Sequence, residues 1–177
     1  MKNIFESENE FIYQEGNDNY ASIIKNEQIV IVLNDEKVKS ILDYFNEFTS
    51  KESFNEYEDK KIPKRDIEKK NIKNHMSPQY FSNMIINSSF PHFSSFDQFL
   101  SNELNSDYLK TYRDICSTIN YSYTGYKARD PKDYKIDKFL DLLIDRIINI
   151  KDKPISDSDT IVFVHYLYWK CDIGDNI

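Results

Sequence analysis

Thr160-Ile161-Val162-Phe163-Val164-His165-Tyr166-Leu167-Tyr168-Trp169-Lys170-Cys171-Asp172-Ile173-Gly174 is apolar on every side of any helix or strand drawn through it. A surface helix carries a polar face, and this stretch barely has one, so it is expected to be buried all round. Ser156-Asp157-Ser158-Asp159 ahead of it reads as a helix start. Ser156 can cap the free N–H groups, and Asp157 and Asp159 fall where the helix dipole favours negative charge. Gly174 fits a stop after the last turn. Val, Ile, Phe and Tyr are strand formers, so a β-strand competes. Length and caps favour a helix over Asp157–Asp172. Its large apolar side chains contribute about 1.5–3 kcal/mol each on burial, roughly 10–20 kcal/mol gross before entropy is subtracted. The rest of the chain must supply a groove for it.

A chain of 177 residues makes one domain of ordinary size, with room for an N-terminal appendage. The formal charge of −7 argues against a broad electrostatic grip on nucleic acid or on anionic membrane. A hydrophobic content of 40%, with 15% aromatic residues, is too rich in core formers for disorder. Cys116 and Cys171 are read as buried free thiols in preference to a disulfide. Met1-Lys2-Asn3-Ile4-Phe5-Glu6-Ser7-Glu8 has no apolar core of a secretory signal. The longest apolar run, Ile161 to Trp169, is too short to span a bilayer. A cytoplasmic location without membrane contact is the expectation.

Upstream, residues 1–59 hold fourteen Asp and Glu against five Lys, a net of −9. Glu27-Gln28-Ile29-Val30-Ile31-Val32-Leu33 reads as a short buried strand, and Phe11-Ile12-Tyr13 as a second candidate. Asn34 caps a helix that opens with Asp35-Glu36 and repeats Val38, Ile41, Leu42, Phe45 and Phe48 on one face. Residues 60–73 invert the sign to +5. A nucleic-acid contact is conceivable there, and a solvated linker paired with the acidic arm is the preferred reading. Helices then follow in succession. Ser77-Pro78 starts one with Tyr80, Phe81, Met84 and Ile85 on a face, and Pro91 interrupts the chain. Phe96, Phe99 and Leu100 mark the next. Tyr108, Tyr112, Ile115, Ile119 and Tyr123 mark a longer one, which Gly125 is expected to end. Ile136, Phe139, Leu140, Leu143, Ile147 and Ile150 form the clearest stripe, closed by Pro154. The fold class expected is mainly α: a small helical bundle around a buried C-terminal helix, with a short mixed α/β N-terminal arm. The divisions are an acidic arm over 1–59, a basic linker over 60–73 and a helical docking domain over 74–177.

Motifs that carry chemistry are scarce. His75, His92 and His165 have no spacing that places two metal ligands on one helix face. Gly16, Gly125 and Gly174 cannot build a phosphate-binding loop. No G-x-S-x-G elbow occurs, and a nuclease pairing of Arg65 with His75 spans too long a gap. No catalytic residue, metal or cofactor is therefore expected. His165 reads first as a core histidine bonded to a backbone carbonyl or a Tyr hydroxyl. An anchor at a partner interface comes second and a catalytic base last. Tyr166, Tyr168 and Trp169 divide between core and interface. A helix this apolar is hard to cover fully within a small domain, so a homo-oligomer is possible.

The ending His165-Tyr166-Leu167-Tyr168-Trp169-Lys170-Cys171-Asp172-Ile173-Gly174 resembles the hydrophobic-H-Y-M-Y-x-x-C-D/H-I-G close of C-terminal domains in bacterial ABC-three-component conflict systems, a group that includes Lamassu-type antiphage defence. Arg65-Asp66-Ile67 with Lys70-Asn71 resembles the opening step of these domains. Asn74-His75-Met76-Ser77 leading to Tyr80-Phe81 resembles their N-x-L-S-x-x-Y/F-F step. Phe96-Asp97-Gln98-Phe99-Leu100 followed by Asn105 resembles the F-x-x-I/F-L-x-x-P-x-N step, with Glu103 in the place of Pro. Leu167 stands where Met is usual. The likeness spans about residues 62–175. His165, Tyr168, Trp169, Cys171 and Asp172 are the motif positions to which a core or partner-binding role falls.

What the resemblance implies is assembly. Such a domain usually ends an effector protein and tethers it to an SMC/Rad50-like ABC ATPase and a small middle component. The first sixty residues are too few to hold an effector. That implies either a piece of a longer protein or a module that recruits its effector in trans. No direct nucleic-acid partner is expected. The competing reading is an acidic immunity protein, or antitoxin, that blocks a basic toxin by charge complementarity. An enzyme with an unrecognised site stands third.

Overall fold

A computed structural model of the chain describes residues 10–11, 24–25, 33–50, 67–170 and 172–175. The chain divides into two compact units, Met1–Val30 and Ile31–Ile177. In the first, strands β1 (Glu10–Phe11) and β2 (Ile24–Lys25) pair antiparallel, Glu10 opposite Lys25 and Phe11 opposite Ile24. Most of the strand expected over Glu27–Leu33, and Ile12 and Tyr13 of the other, lie outside the described residues; Leu33 is buried.

The second unit is helical. It holds α1 (Asp35–Ser50), α2 (Ile67–Lys73), α3 (Pro78–Tyr80), α4 (Phe93–Ser101), α5 (Ser106–Arg129), α6 (Ile136–Ile148) and α7 (Asp157–Trp169). A π-helix over Phe81–Ser89 and short 3₁₀ segments over Phe90–His92 and Glu103–Asn105 join them. Helix α1 starts as its sequence dictates. The Lys37 N–H donates to Asn34 Oδ1 at 2.9 Å, and Asp35 and Glu36 occupy the positive end of the dipole. Val38, Ile41, Leu42 and Phe45 are buried, and the helix packs along α5 and touches α4 and α7. It lies within the helical unit. The run expected as a solvated linker also carries structure: residues 67–73 form α2, and Lys70 is buried.

Helix α7 is the axis of the unit. Ser156 accepts from the Asp159 N–H at 3.2 Å, and Asp159 Oδ2 accepts from the Ser156 N–H at 2.8 Å, a reciprocal capping box. Lys37 of α1 closes on the same carboxylate oxygen at 2.8 Å. From Val162 to Tyr168 every residue is buried, as a helix without a polar face requires. α6, α1, the π-helix and the Phe90–His92 turn cover it. Phe163 packs edge-on against Phe45 of α1 and tilted against Phe96 of α4, with ring centroids 4.5 and 5.3 Å apart.

Four positions differ from the sequence reading. α7 stops at Trp169 rather than Asp172, because the Asp172 N–H turns back to the Leu167 carbonyl at 3.1 Å and frees the chain to cross α5. Gly125 does not end α5, which runs on to Arg129. It sits exposed with open space around it, and an exposed glycine only weakens a helix. Met84 points outward, 40% exposed, because the i→i+5 bonding of the π-helix winds each residue through less than the α-helical turn. Ile85 is buried as expected, and Ser89 rather than Met84 is buried with it. Ile150 lies beyond the end of α6 and is partly exposed.

Candidate functional site

The site grows from the C-terminal end of α7, where the sequence motif lies. His165 is fully buried. Its Nδ1 is 2.7 Å from Ser89 Oγ, and its Nε2 is 3.0 Å from the Tyr80 hydroxyl. That hydroxyl donates onward to Asp141 Oδ1 at 2.8 Å. With the neutral ring that burial favours, all three bonds are satisfied when Ser89 donates to Nδ1, Nε2–H donates to Tyr80, and Tyr80 donates to Asp141. Burial lowers the pKa of the ring to about 4. The α3 and π-helix segment is what brings Tyr80 and Ser89 to opposite sides of the imidazole.

After Trp169 the chain crosses α5 and is tied to it. Tyr112 donates to Asp172 Oδ2, and Asn120 Nδ2 donates to the Asp172 carbonyl. Asn120 Oδ1 accepts from the Gly174 N–H at 2.9 Å. Burial first, then the charge of Asp172, holds the Cys116 thiol well above its usual range, so this cysteine stays protonated between α5 and the chain end. Cys171 lies outside the described residues.

A second tie comes from α2 and was not foreseen. The Lys70 ammonium donates to the Tyr168 carbonyl at 2.9 Å and to the Ile173 carbonyl at 2.6 Å, and lies 4.2 Å from the centre of the Tyr168 ring. Tyr168 in turn donates from its hydroxyl to Asn71 Oδ1 at 2.8 Å. Asn74 follows in the turn after α2. Its Nδ2 donates to the Lys70 and Asp175 carbonyls at 2.9 and 2.8 Å. Its Oδ1 accepts from the Asp175 N–H at 2.7 Å and the Tyr123 hydroxyl at 3.0 Å. Gly174 has φ +91°, and a Cβ there would stand 2.9 Å from Asn74 Oδ1. Glycine at this position is therefore a requirement of close approach and of left-handed backbone, rather than a helix stop. Asp175 also pairs with Lys127 of α5.

Trp169 is half-buried. Its ring lies 6.2 Å from Phe81 in a stacked arrangement, 4.9 Å from Phe90 and 6.1 Å from Phe93. Phe93 beneath is buried, while Phe90 is 44% exposed. Beside this cluster, Asp97 of α4 accepts from the Tyr166 hydroxyl at 2.8 Å and pairs with Lys170 at 2.6 Å.

The motif positions thus separate. His165, Tyr168 and Asp172 are engaged by hydrogen bonds within the chain, and Trp169 roots an aromatic cluster that reaches the surface. The family likeness singled out Lys70 and Asn74 as motif positions, but their part in tying down the chain end was not foreseen. Lys70 is one of seven basic residues in its run, and charge alone does not set it apart from them. In the residues themselves, the i, i+4 spacing of Lys70 and Asn74 was the available signal, because on a helix it sets the two side chains side by side. Among the described residues no group of three His, Cys, Asp or Glu is placed to hold a metal ion, and no helix is long and apolar enough to cross a membrane. Residues 8–174 match the family model of C-terminal domain 12 of the ABC-three component systems. No curated protein and no solved structure matches the chain.

Proposed function

The chain belongs to the family of C-terminal domain 12 of the ABC-three component systems, and from that membership we propose that it is a non-catalytic docking module of an antiphage defence complex. In this reading it tethers an effector to an SMC/Rad50-like ABC ATPase and a middle component. The carrying observation is the division of labour at the end of α7. The polar groups of the motif bond inward and fix the chain end, while the aromatic cluster on Trp169 continues outward to exposed Phe90. His165 has both ring nitrogens occupied and its proton affinity lowered by burial. It is built to fill a core rather than to exchange protons at neutral pH. A binding module needs this economy: a rigid frame and an apolar face rooted in it.

Coexpression of the components tests the tether. With the chain present, effector and ATPase should elute together in size exclusion; with the chain omitted, they should separate. Co-elution in its absence would remove the tethering role. The acidic balance of −7 supports a second reading, an immunity protein for a basic toxin. Protection of cells from a coexpressed toxin, without any ATPase, would favour it.

A further inference from the structure

Between α3 and α4 the chain winds as a π-helix over Phe81–Ser89 and then as a 3₁₀ turn over Phe90–His92. A π-helix of 9 residues is uncommon, because such winding occurs mostly as single turns and often at functional sites, so contacts outside the segment must hold it. Helix α7 supplies them twice. Tyr80 and Ser89 both bond the His165 ring, one at each nitrogen. Phe81 and Phe90 both pack against the Trp169 ring, with centroids 6.2 and 4.9 Å away. The two residues of each pair are separated by the same step of 9 residues, the length of the π-helix.

Pairs at this spacing share a side only in the wide winding. An α-helix makes about 3.6 residues per turn, so the step covers about two and a half turns and ends on the opposite side. Bonding from i to i+5 widens each turn, and the same step closes about two full turns and ends on the same side. His165 and Trp169 stand one turn apart on α7 and meet this register together. The sequence carries the other register as well. Phe81, Met84, Ile85 and Ser88 have the i, i+3, i+4, i+7 spacing of an α-helical face. In the π winding Ile85 and Ser89 are buried, whereas Met84 is 40% exposed and Ser88 also faces solvent.

A hinge for exchange between the two windings is in place. Pro91, in the 3₁₀ turn, has no N–H to enter either hydrogen-bond ladder, so the helix is already interrupted where a change of winding would be absorbed. Both flanks are anchored. The Ser77 N–H is held by Asp137 Oδ2 at 3.2 Å, and Phe96 of α4 stacks on Tyr166 with ring centroids 4.8 Å apart. We propose that residues 80–90 are a two-register helix and that His165 is its latch. With both ring nitrogens bonded, the segment winds as π, and Phe81 and Phe90 share the Trp169 ring. With those bonds lost it rewinds as α. Met84 then turns to the buried side with Phe81 and Ile85, and Phe90 turns away from Trp169. The device is a property of the folded chain and stands apart from the docking role. It sets whether Phe90 lies against Trp169 at the surface.

Tyr80→Phe combined with Ser89→Ala removes both latch bonds and leaves α7 unaltered. The readout is the isotope-labelled methionine methyl signals of the full chain in the presence of a soluble paramagnetic probe. In the parent the exposed Met84 methyl should broaden and that of buried Met76 should not. In the double variant Met84 should lose most of its broadening while Met76 stays unchanged. Emission of Trp169, the single tryptophan of the chain, should shift as Phe90 leaves its ring. Ser89→Ala alone is the milder form and should protect Met84 in part. Met84→Lys should leave the Tm of the parent unchanged and lower it in the Ser89→Ala background, because only the α register buries that position. A Met84 methyl as accessible as in the parent, in whichever latch variant is folded, would overturn the proposal. So would an equal effect of Met84→Lys on the Tm in both backgrounds.

Discussion

Replacing Lys70 with Met keeps the length of the side chain and removes its charge. The ammonium is buried, and it donates to two carbonyls and lies over the Tyr168 ring. Two charge-assisted hydrogen bonds contribute about 1.5–3 kcal/mol each, and a desolvated cation–π contact about 2 kcal/mol. Against this stands the cost of holding an ammonium out of water, several kcal/mol. The methionine removes that cost but strands the Tyr168 and Ile173 carbonyls, at about 1–3 kcal/mol each. The surplus left is a loss of about 2–4 kcal/mol. In a domain of this size each kcal/mol moves the Tm by about 2–4 °C, so the midpoint should fall by roughly 4–16 °C. Thermal unfolding followed by circular dichroism measures this. The reasoning also requires the loss to be local, so hydrogen exchange should speed up at residues 172–175 before it does in α6. A Tm within about 2 °C of the parent, with unchanged exchange there, would refute the view that Lys70 ties down the chain end.

Other expectations follow from the same frame. Gly174→Ala should cost about 1–3 kcal/mol, since it adds left-handed strain to a 2.9 Å approach on Asn74; a Tm equal to the parent's would contradict the close approach. His165 binds a proton less readily folded, at about 4, than unfolded, near 6.5, so its contribution is complete above pH 6.5 and lost as pH falls toward 4. The loss amounts to about 3 kcal/mol, with the raised Asp141 working in the opposite sense below neutrality, and His165→Gln should flatten the fall of Tm across that window. Tyr112→Phe removes the donor to Asp172 and should destabilise by about 1–3 kcal/mol in urea titration; a neutral result would mean the bond is replaced by water. Trp169→Ala should cost about 2–3 kcal/mol, less than a fully buried ring, because its indole is half-buried.

The apolar stretch at the chain end made α7 legible, because an element without a polar face has one place to go. The stripes of α1 and α6 were equally plain, as were the caps at Ser77 and Ser156, since side chains acting within four residues leave their spacing in the sequence. The ties across the chain left no such trace. Lys70 reaches Ile173 across 103 positions, and Asn74 reaches Asp175 across 101. A lysine that folds inward looks like its exposed neighbours until the carbonyls it meets are in place. Gly174 was visible, and its role was misread for the same reason: a glycine at a helix end suggests a stop, while here the demand comes from Asn74, distant in sequence. Met84 was misplaced because the pattern assumed α-helical winding, and the π-helix shifts its face.

Equilibrium binding of the purified full chain to the proposed partner, an SMC/Rad50-like ABC ATPase encoded beside it, is the most direct test of the docking account. The account predicts a complex at micromolar concentrations or below, little changed by Asp172→Asn at matched folded fraction. A chain that is fully folded and forms no complex at micromolar concentrations would contradict it.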